Sequence, residues 1–203
     1  MELICVRHGR TAWNAGRRFQ GHTDIPLDDE GRAQARALAA LVAHDRIEVA
    51  AASDLLRAAE TARIVLADRD VPLRLDADWR EMRFGGWEGL TWEEIVAANP
   101  ALASGAETSV RDYASPGGET FLDLCARVKR AADRVVSETP NDASALVATH
   151  AGPLHALLQV LLGEGAAAAL RVRFATASIT RFRRDAAGNW TLRRLNQTAR
   201  VAP

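Results

Sequence analysis

Short apolar runs alternate along this chain with segments whose apolar residues recur at helical spacing. Parallel strands need crossover connections, and helices are the usual ones, so this alternation predicts a largely parallel sheet with helices on both faces. Leu3-Ile4-Cys5-Val6, Ile47 to Asp54, Val71 to Asp78 and Ala143 to His150 read as strands. Between them, Asp28 and Asp29 offer N-cap chemistry for a helix to about Ala43, with Ala35, Leu38, Leu41 and Val42 on one face. "LRAAETARIVLA" and the stripe from Phe121 to Val136 read as further helices, and another follows His150. "LRVRFATASITRF" and "NWTLRRLN" read as a closing hairpin or edge pair around Asp185 to Gly188.

The 203 residues suit one domain that can bury its core without metal or disulfide staples. A formal net charge of +0 gives no reason to expect nucleic acid or an anionic membrane as partner, so any positive site must be local. Cys5 and Cys125 lie in apolar settings far apart in sequence, which predicts free buried thiols rather than a disulfide or a metal pair. No run approaches the ~18 apolar residues of a membrane span, and the first residues lack signal-peptide character, so the expected location is cytoplasmic.

Polar groups stand where the strand readings end: Arg7 and His8, then Arg57 just beyond Ser53-Asp54, then Glu81, then His150. The carboxyl ends of parallel strands border the ligand crevice, so neighbouring strands would gather these side chains at one sheet edge. Two guanidiniums and a second imidazole suit a dianionic phosphate, which leaves His8 free to act as a nucleophile. Glu81 can protonate a leaving alkoxide. The less regular stretch of about 83–118 carries Gly85, Gly86 and Gly89, a short helix near Thr91 to Ala98, and "SPGGE". It reads as an insertion that roofs the site.

"VRHGRTAWN", "FQGHTDIPLDDEGRAQA", "SDLLRAAETA", "REMRFGGWEG", "SPGGETF" and "ATHAGPLHALL" together resemble the histidine phosphatase superfamily, whose branches include phosphoglycerate mutases and small-molecule phosphatases. The resemblance runs in order over roughly Leu3 to Asn196. It implies a three-layer α/β/α fold like that of phosphoglycerate mutase. It also implies a phosphohistidine at His8, with Arg7, Asn14, Arg57 and His150 holding phosphate and Glu81 as proton donor, without metal or other cofactor. Gln20, Gly21, Phe84, Trp87, Trp92 and Ala151 are the candidate pocket residues. Glu88 competes with Glu81 for the acid role, but family register favours Glu81. His22 reads as a surface-loop histidine and His155 as packing near the site.

Phosphatases and mutases of this family share the phosphohistidine and differ in what holds the rest of the substrate. In mutases resembling this chain, a Tyr and a Lys follow the catalytic Glu; here Phe84 and Trp92 stand at those positions, and Arg111 stands alone beside Asp112 in place of an arginine pair. Arg10 occupies a position often held by Glu or Gln. An apolar roof would favour uncharged or aromatic leaving groups and admit water. The expectation is therefore a phosphatase of a small phosphomonoester, either broad or dedicated, for example to α-ribazole phosphate. A phosphoglycerate mutase and a non-catalytic phosphate-binding relative are the alternatives. The last would require loss of a catalytic group, and Arg7, His8, Arg57, Glu81 and His150 are all present.

Overall fold

The computed structural model describes residues 1–67, 69–100, 102, 115–165 and 172–199. Among the described residues the sheet has six strands: β1 (Glu2–Arg7), β2 (Ile47–Ala52), β3 (Leu73–Leu75), β4 (Ser144–Thr149), β5 (Ser178–Arg184) and β6 (Trp190–Thr198), in the order β3-β2-β4-β1-β5-β6. The first four are mutually parallel, and the β5–β6 hairpin closes the sheet antiparallel to β1. The helices are α1 (Ala12–Ala15), α2 (Asp29–Leu41), α3 (Leu56–Val65), α4 (Trp92–Ala98), α5 (Phe121–Glu138) and α6 (Ala151–Leu162).

Period-two alternation in β1 divides the core between two faces. Leu3 and Cys5 pack with Leu124, Val128 and Val135 of α5 and with Leu154 and Leu157 of α6. Ile4 and Val6 pack with Leu38 of α2 and with Ala62 and Val65 of α3. The result is the three-layer α/β/α arrangement. β1 and β4 are buried from both sides, which is why they read as continuous apolar runs.

Local chemistry sets the helix starts. Asp28 accepts the Gly31 N–H at 2.7 Å, and Asp29 and Glu30 place negative charge at the positive end of α2. Thr120 and Asp123 form a reciprocal capping box that starts α5, a motif contributing roughly 1 kcal/mol. Cys5 and Cys125 are both buried and form no disulfide.

The third strand is much shorter than its sequence reading. Asp76 accepts the Asp78 N–H, which turns the chain into a 3-10 turn over Ala77–Trp79 and ends strand geometry after Leu75. α1, unread in the sequence, is a single turn held by a Thr11/Asn14 capping box. The stretch read as a roof is described only at 83–100, 102 and 115–118, and Arg111 and Asp112 lie outside the described residues. No described helix is long and apolar enough to cross a membrane.

Gly9 and Gly31 let the loop after β1 lie against the first turn of α2. A Cβ on Gly9 would sit 2.4 Å from the Gly31 carbonyl oxygen, and one on Gly31 would sit 2.1 Å from the Arg10 carbonyl oxygen. Gly9 is thus required by close approach rather than by a left-handed turn. Alanine in place of a helical glycine ordinarily stabilises; here Gly31→Ala should instead cost about 1–3 kcal/mol through overpacking. Urea unfolding of the variant checks the sign.

Candidate active site

β1 and β4 lie side by side with Arg7 opposite Thr149, and the His8 N–H donates to the Thr149 carbonyl at 2.9 Å. The next residue on each chain therefore arrives at the same point of the sheet's carboxyl edge: His8 after β1, and His150 as the N-cap of α6. Their ring centroids are 5.0 Å apart. Arg57 reaches the pair from the first turn of α3.

The hydrogen bonds set a different tautomer on each ring. His8 Nδ1 lies 2.7 Å from the Gly9 carbonyl oxygen, which can only accept, so Nδ1 carries the proton and Nε2 is left with its lone pair. Arg57 Nε donates to His150 Nδ1 at 3.2 Å, so the His150 proton must sit on Nε2. That nitrogen is buried and has no partner, and neither has Arg7 Nε. Two buried donors without acceptors at one site cost free energy unless something anionic or strongly accepting fills the space between them.

Electrostatics reinforce the assignment. Burial, then Arg57 and Arg7, push the His8 imidazole well below its ordinary range. His150 is lowered in the same way, by burial first and then by Arg57 and His8. Both rings are neutral at neutral pH, which His8 needs if it is to attack. Arg57 is itself lowered to about 10, chiefly by burial. It donates to the carbonyls of Thr23 at 2.9 Å and Gly21 at 2.8 Å, which holds the guanidinium plane in one orientation. Arg7 is anchored on the Phe174 carbonyl.

Glu81 follows the 3-10 turn at Trp79 rather than ending a strand. Its Oε1 accepts from the N–H groups of Met82 at 2.8 Å and Gly152 at 2.9 Å, so a proton carried by this carboxyl belongs on Oε2. Its main-chain carbonyl is gripped by Arg127 of α5 at 2.8 Å and by His22 Nε2 at 2.9 Å. Arg127 is in turn paired with Glu119 and clamps the carbonyls of Asp78 and Arg80.

Arg7, His8, Arg57 and Glu81 open onto a cavity of about 1010 Å³ whose lining also includes Asn14, Gln20, Phe84 and Trp92, while His150 is fully buried beside His8 and is not a lining residue. The arrangement can hold a phosphoryl group between four fixed donors, with an unprotonated imidazole nitrogen on one side. No group of three or more His, Cys, Asp or Glu able to hold an ion occurs among the described residues.

The family model described as "Histidine phosphatase superfamily (branch 1)" matches residues 3–198. The chain belongs to the histidine phosphatase superfamily. It is 36% identical over 171 residues to glucosyl-3-phosphoglycerate phosphatase of Mycolicibacterium vanbaalenii, an alignment covering 79% of this chain and 74% of that protein. It is 37% identical over 169 residues to 2,3-bisphosphoglycerate-dependent phosphoglycerate mutase 2 of Gloeobacter violaceus, covering 78% of this chain and 74% of that one. Among solved structures, a putative alpha-ribazole-5'-P phosphatase from Escherichia coli superimposes with a TM-score of 0.86 at 31% identity, covering 98% of this chain and 97% of that one. The relatives of this histidine phosphatase superfamily member thus bear the names of both small-molecule phosphatases and mutases.

Several pocket residues sit elsewhere than expected. Trp87 lines neither this cavity nor the smaller one of about 440 Å³ beside it; its ring packs 6.1 Å from that of Phe19, behind the wall. Gly21 is not a lining residue either. Its carbonyl anchors Arg57, and at φ +53 it passes so close to Glu88 that a Cβ would collide with the carboxylate. Glu88 accepts from His22, Thr23 and Phe84 main-chain N–H groups and organises that loop, as a carboxylate held below its ordinary range can. Asn14 turns its Oδ1 back onto Thr11, which leaves its amide N–H₂ as the group that can face the cavity. Ala151 lines the smaller cavity with His155, whose ring meets Phe174 edge-on at 4.9 Å.

Phe84 and Trp92 do line the large cavity, but its wall is not apolar: six arginines and two glutamates line it. Arg173 and Arg17 were unread as site residues because each stands in an arginine-rich stretch with no motif around it. Arg127, Gly152 and His22 were also missed as supports of Glu81. The sequence signal for Arg127 was a basic residue within the apolar stripe of α5, adjacent to Val128.

The two neutral histidines link stability to pH. In the unfolded chain each titrates near about 6.5, whereas in the fold both are depressed, so acid favours the unfolded state as pH falls below that value. Each should contribute a slope of about 1.4 kcal/mol per pH unit until its folded titration is reached. Denaturant unfolding between about pH 6 and pH 5 should therefore show a steep loss, and His8→Ala should remove about one proton from it.

Proposed function

We propose that this chain hydrolyses a small phosphomonoester through a covalent phosphohistidine at His8. The observation that carries the reading is the complementary tautomer pair, His8 with a free Nε2 and His150 with an unpartnered Nε2–H, set 5.0 Å apart between Arg7 and Arg57. The family membership and the phosphatase relatives support it.

The substrate's phosphoryl oxygens occupy the space between Arg7 Nε, His150 Nε2 and the Arg57 guanidinium, with the Asn14 amide as a further donor. The His8 Nε2 lone pair forms a bond to phosphorus while the ester P–O bond breaks. Glu81 gives its proton to the departing oxygen, so the first product leaves with that oxygen as a neutral hydroxyl. The phosphoryl charge in this loose transition state is met by donors already oriented, which is where most of the acceleration arises. In the second half, the Glu81 carboxylate takes a proton from water as its oxygen attacks phosphorus. The N–P bond breaks, and inorganic phosphate and free His8 result. The Gly9 carbonyl keeps the Nδ1 proton in place throughout and stabilises positive charge as the ring is phosphorylated.

Gly152 fits this role for Glu81. It is the second residue of α6, its N–H holds Oε1, and any Cβ there would lie 2.3 Å from that oxygen. The arginine-lined wall favours a second reading, a phosphoglycerate mutase, in which the phosphoryl group returns to a retained acid instead of passing to water.

Steady-state phosphate release without added metal from a panel of phosphomonoesters, including α-ribazole phosphate and 3-phosphoglycerate, tests the proposal. His8→Ala should abolish release, and Glu81→Gln should lower kcat about 10²–10⁴-fold, least for esters whose leaving groups need no proton. Faster interconversion of 2- and 3-phosphoglycerate than release from any ester would favour the mutase. Release unaffected by His8→Ala would overturn both.

A further inference from the structure

We infer that the mouth of the cavity contains a second anion subsite, formed by Arg17 and Arg173, for an acidic group on the leaving half of the substrate. This deepens the phosphatase reading and rests on it for the position of the reacting phosphate.

Of the six arginines lining the cavity, four are already committed. Arg7 and Arg57 face the phosphoryl position and are anchored on main-chain carbonyls. Arg10 is held by Asp28 and Glu30, and Arg18 by Glu94 and the Gly89 carbonyl. Arg17 and Arg173 are exposed, and only their main-chain atoms, not their guanidiniums, take part in hydrogen bonds or ion pairs among the described residues. The reacting phosphate is a dianion, which Arg7 and Arg57 alone can neutralise. Two further cations face the cavity beyond that balance, against one lining carboxylate outside the catalytic set, Glu93, with which neither forms an ion pair among the described residues.

Backbone geometry at Arg17 points the same way. The chain after α1 runs Gly16-Arg17-Arg18, and the glycine sits at φ −81, which any residue adopts, whereas Arg17 sits at φ 52. Glycine would be at ease at residue 17 and the long side chain is not, so the strain is tolerated for what the side chain does. Arg173 comes from the other end of the chain, immediately before Phe174, whose carbonyl anchors Arg7. Its charge acts on Arg7 and lowers it, so it stands close to the phosphate grip. Planar guanidiniums match carboxylate and phosphate oxygens equally well, and either group would meet the chemistry. This reverses the expectation of uncharged or aromatic leaving groups that Phe84 and Trp92 suggest on their own.

The test compares matched esters that differ in one acidic group: 3-phosphoglycerate against glycerol 3-phosphate for a carboxylate, and fructose 1,6-bisphosphate against fructose 6-phosphate for a phosphate. The proteins are the native chain, Arg17→Gly, Arg173→Gln, the double variant, and Arg36→Gln as a change of equal charge on exposed α2, outside the cavity. The native chain should favour the acidic member of at least one pair by about tenfold in kcat/KM, expressed in KM, and the double variant should bring that ratio to near one. Arg36→Gln should keep it. Arg17→Gly should melt no lower than the native chain, since it relieves the left-handed backbone. The pair that responds identifies the acid. Calorimetric Kd ratios for the same esters on His8→Ala give the same comparison without turnover. If no ester is hydrolysed yet the ratios respond, the phosphatase reading fails and the subsite stands. Native ratios near one, ratios that persist in the double variant, an equal loss in Arg36→Gln, or no binding of any ester would each overturn it.

Discussion

The parallel pairing of β1 with β4 is the constraint on which the site depends. Because Arg7 lies opposite Thr149, the two strands end at the same level, and His8 and His150 leave them as neighbours. A one-residue slip would turn each strand's core residues to the opposite face, so the packing of both helical layers fixes the register. The hydrophobic core therefore positions the imidazoles. Arg57 completes the arrangement by bonding His150 while tied to the loop carbonyls of Gly21 and Thr23.

Burying two guanidiniums beside two imidazoles is costly, and the structure meets that cost unevenly. The arginines are held by carbonyl oxygens rather than by carboxylates, so their charge is oriented but not neutralised. The imidazoles respond by staying neutral. What remains is a preorganised positive field with two buried unpartnered donors, and a dianion is the natural complement. Glu81 is handled in the opposite way. Its carboxyl accepts two main-chain N–H groups on one oxygen, and its carbonyl is clamped by Arg127 and His22, so its position is set by backbone.

Much of this was legible in the sequence, for physical reasons that can be named. β1 and β4 are buried on both faces, so they appear as apolar runs, and polar residues directly after them stand out as Arg7, His8 and His150. α5 announces itself through its stripe and its Thr120/Asp123 cap. The third strand was overread because Asp76 and Asp78 stop it by a side-chain turn that leaves no hydrophobic mark. The supports of Glu81 were hidden because they act through main-chain atoms. The N–H of Gly152 is the same in any residue but proline, and only the fold reveals that a Cβ there has no room. Arg17 and Arg173 lie far apart in sequence and share a cavity only after folding. Reading the pocket from Phe84 and Trp92 alone therefore left out the arginines on its other walls.

The central claim is that His8 carries the phosphoryl group. Rapid acid-free quenching of the native chain with a turned-over ester, followed by mass spectrometry of the peptide containing residues 4–14, tests it most directly. The account predicts an acid-labile, alkali-stable phosphoryl group on His8 that forms and decays at least as fast as turnover. Phosphate release with no phosphorylated protein at any time, or with the phosphoryl group on another residue, would contradict it.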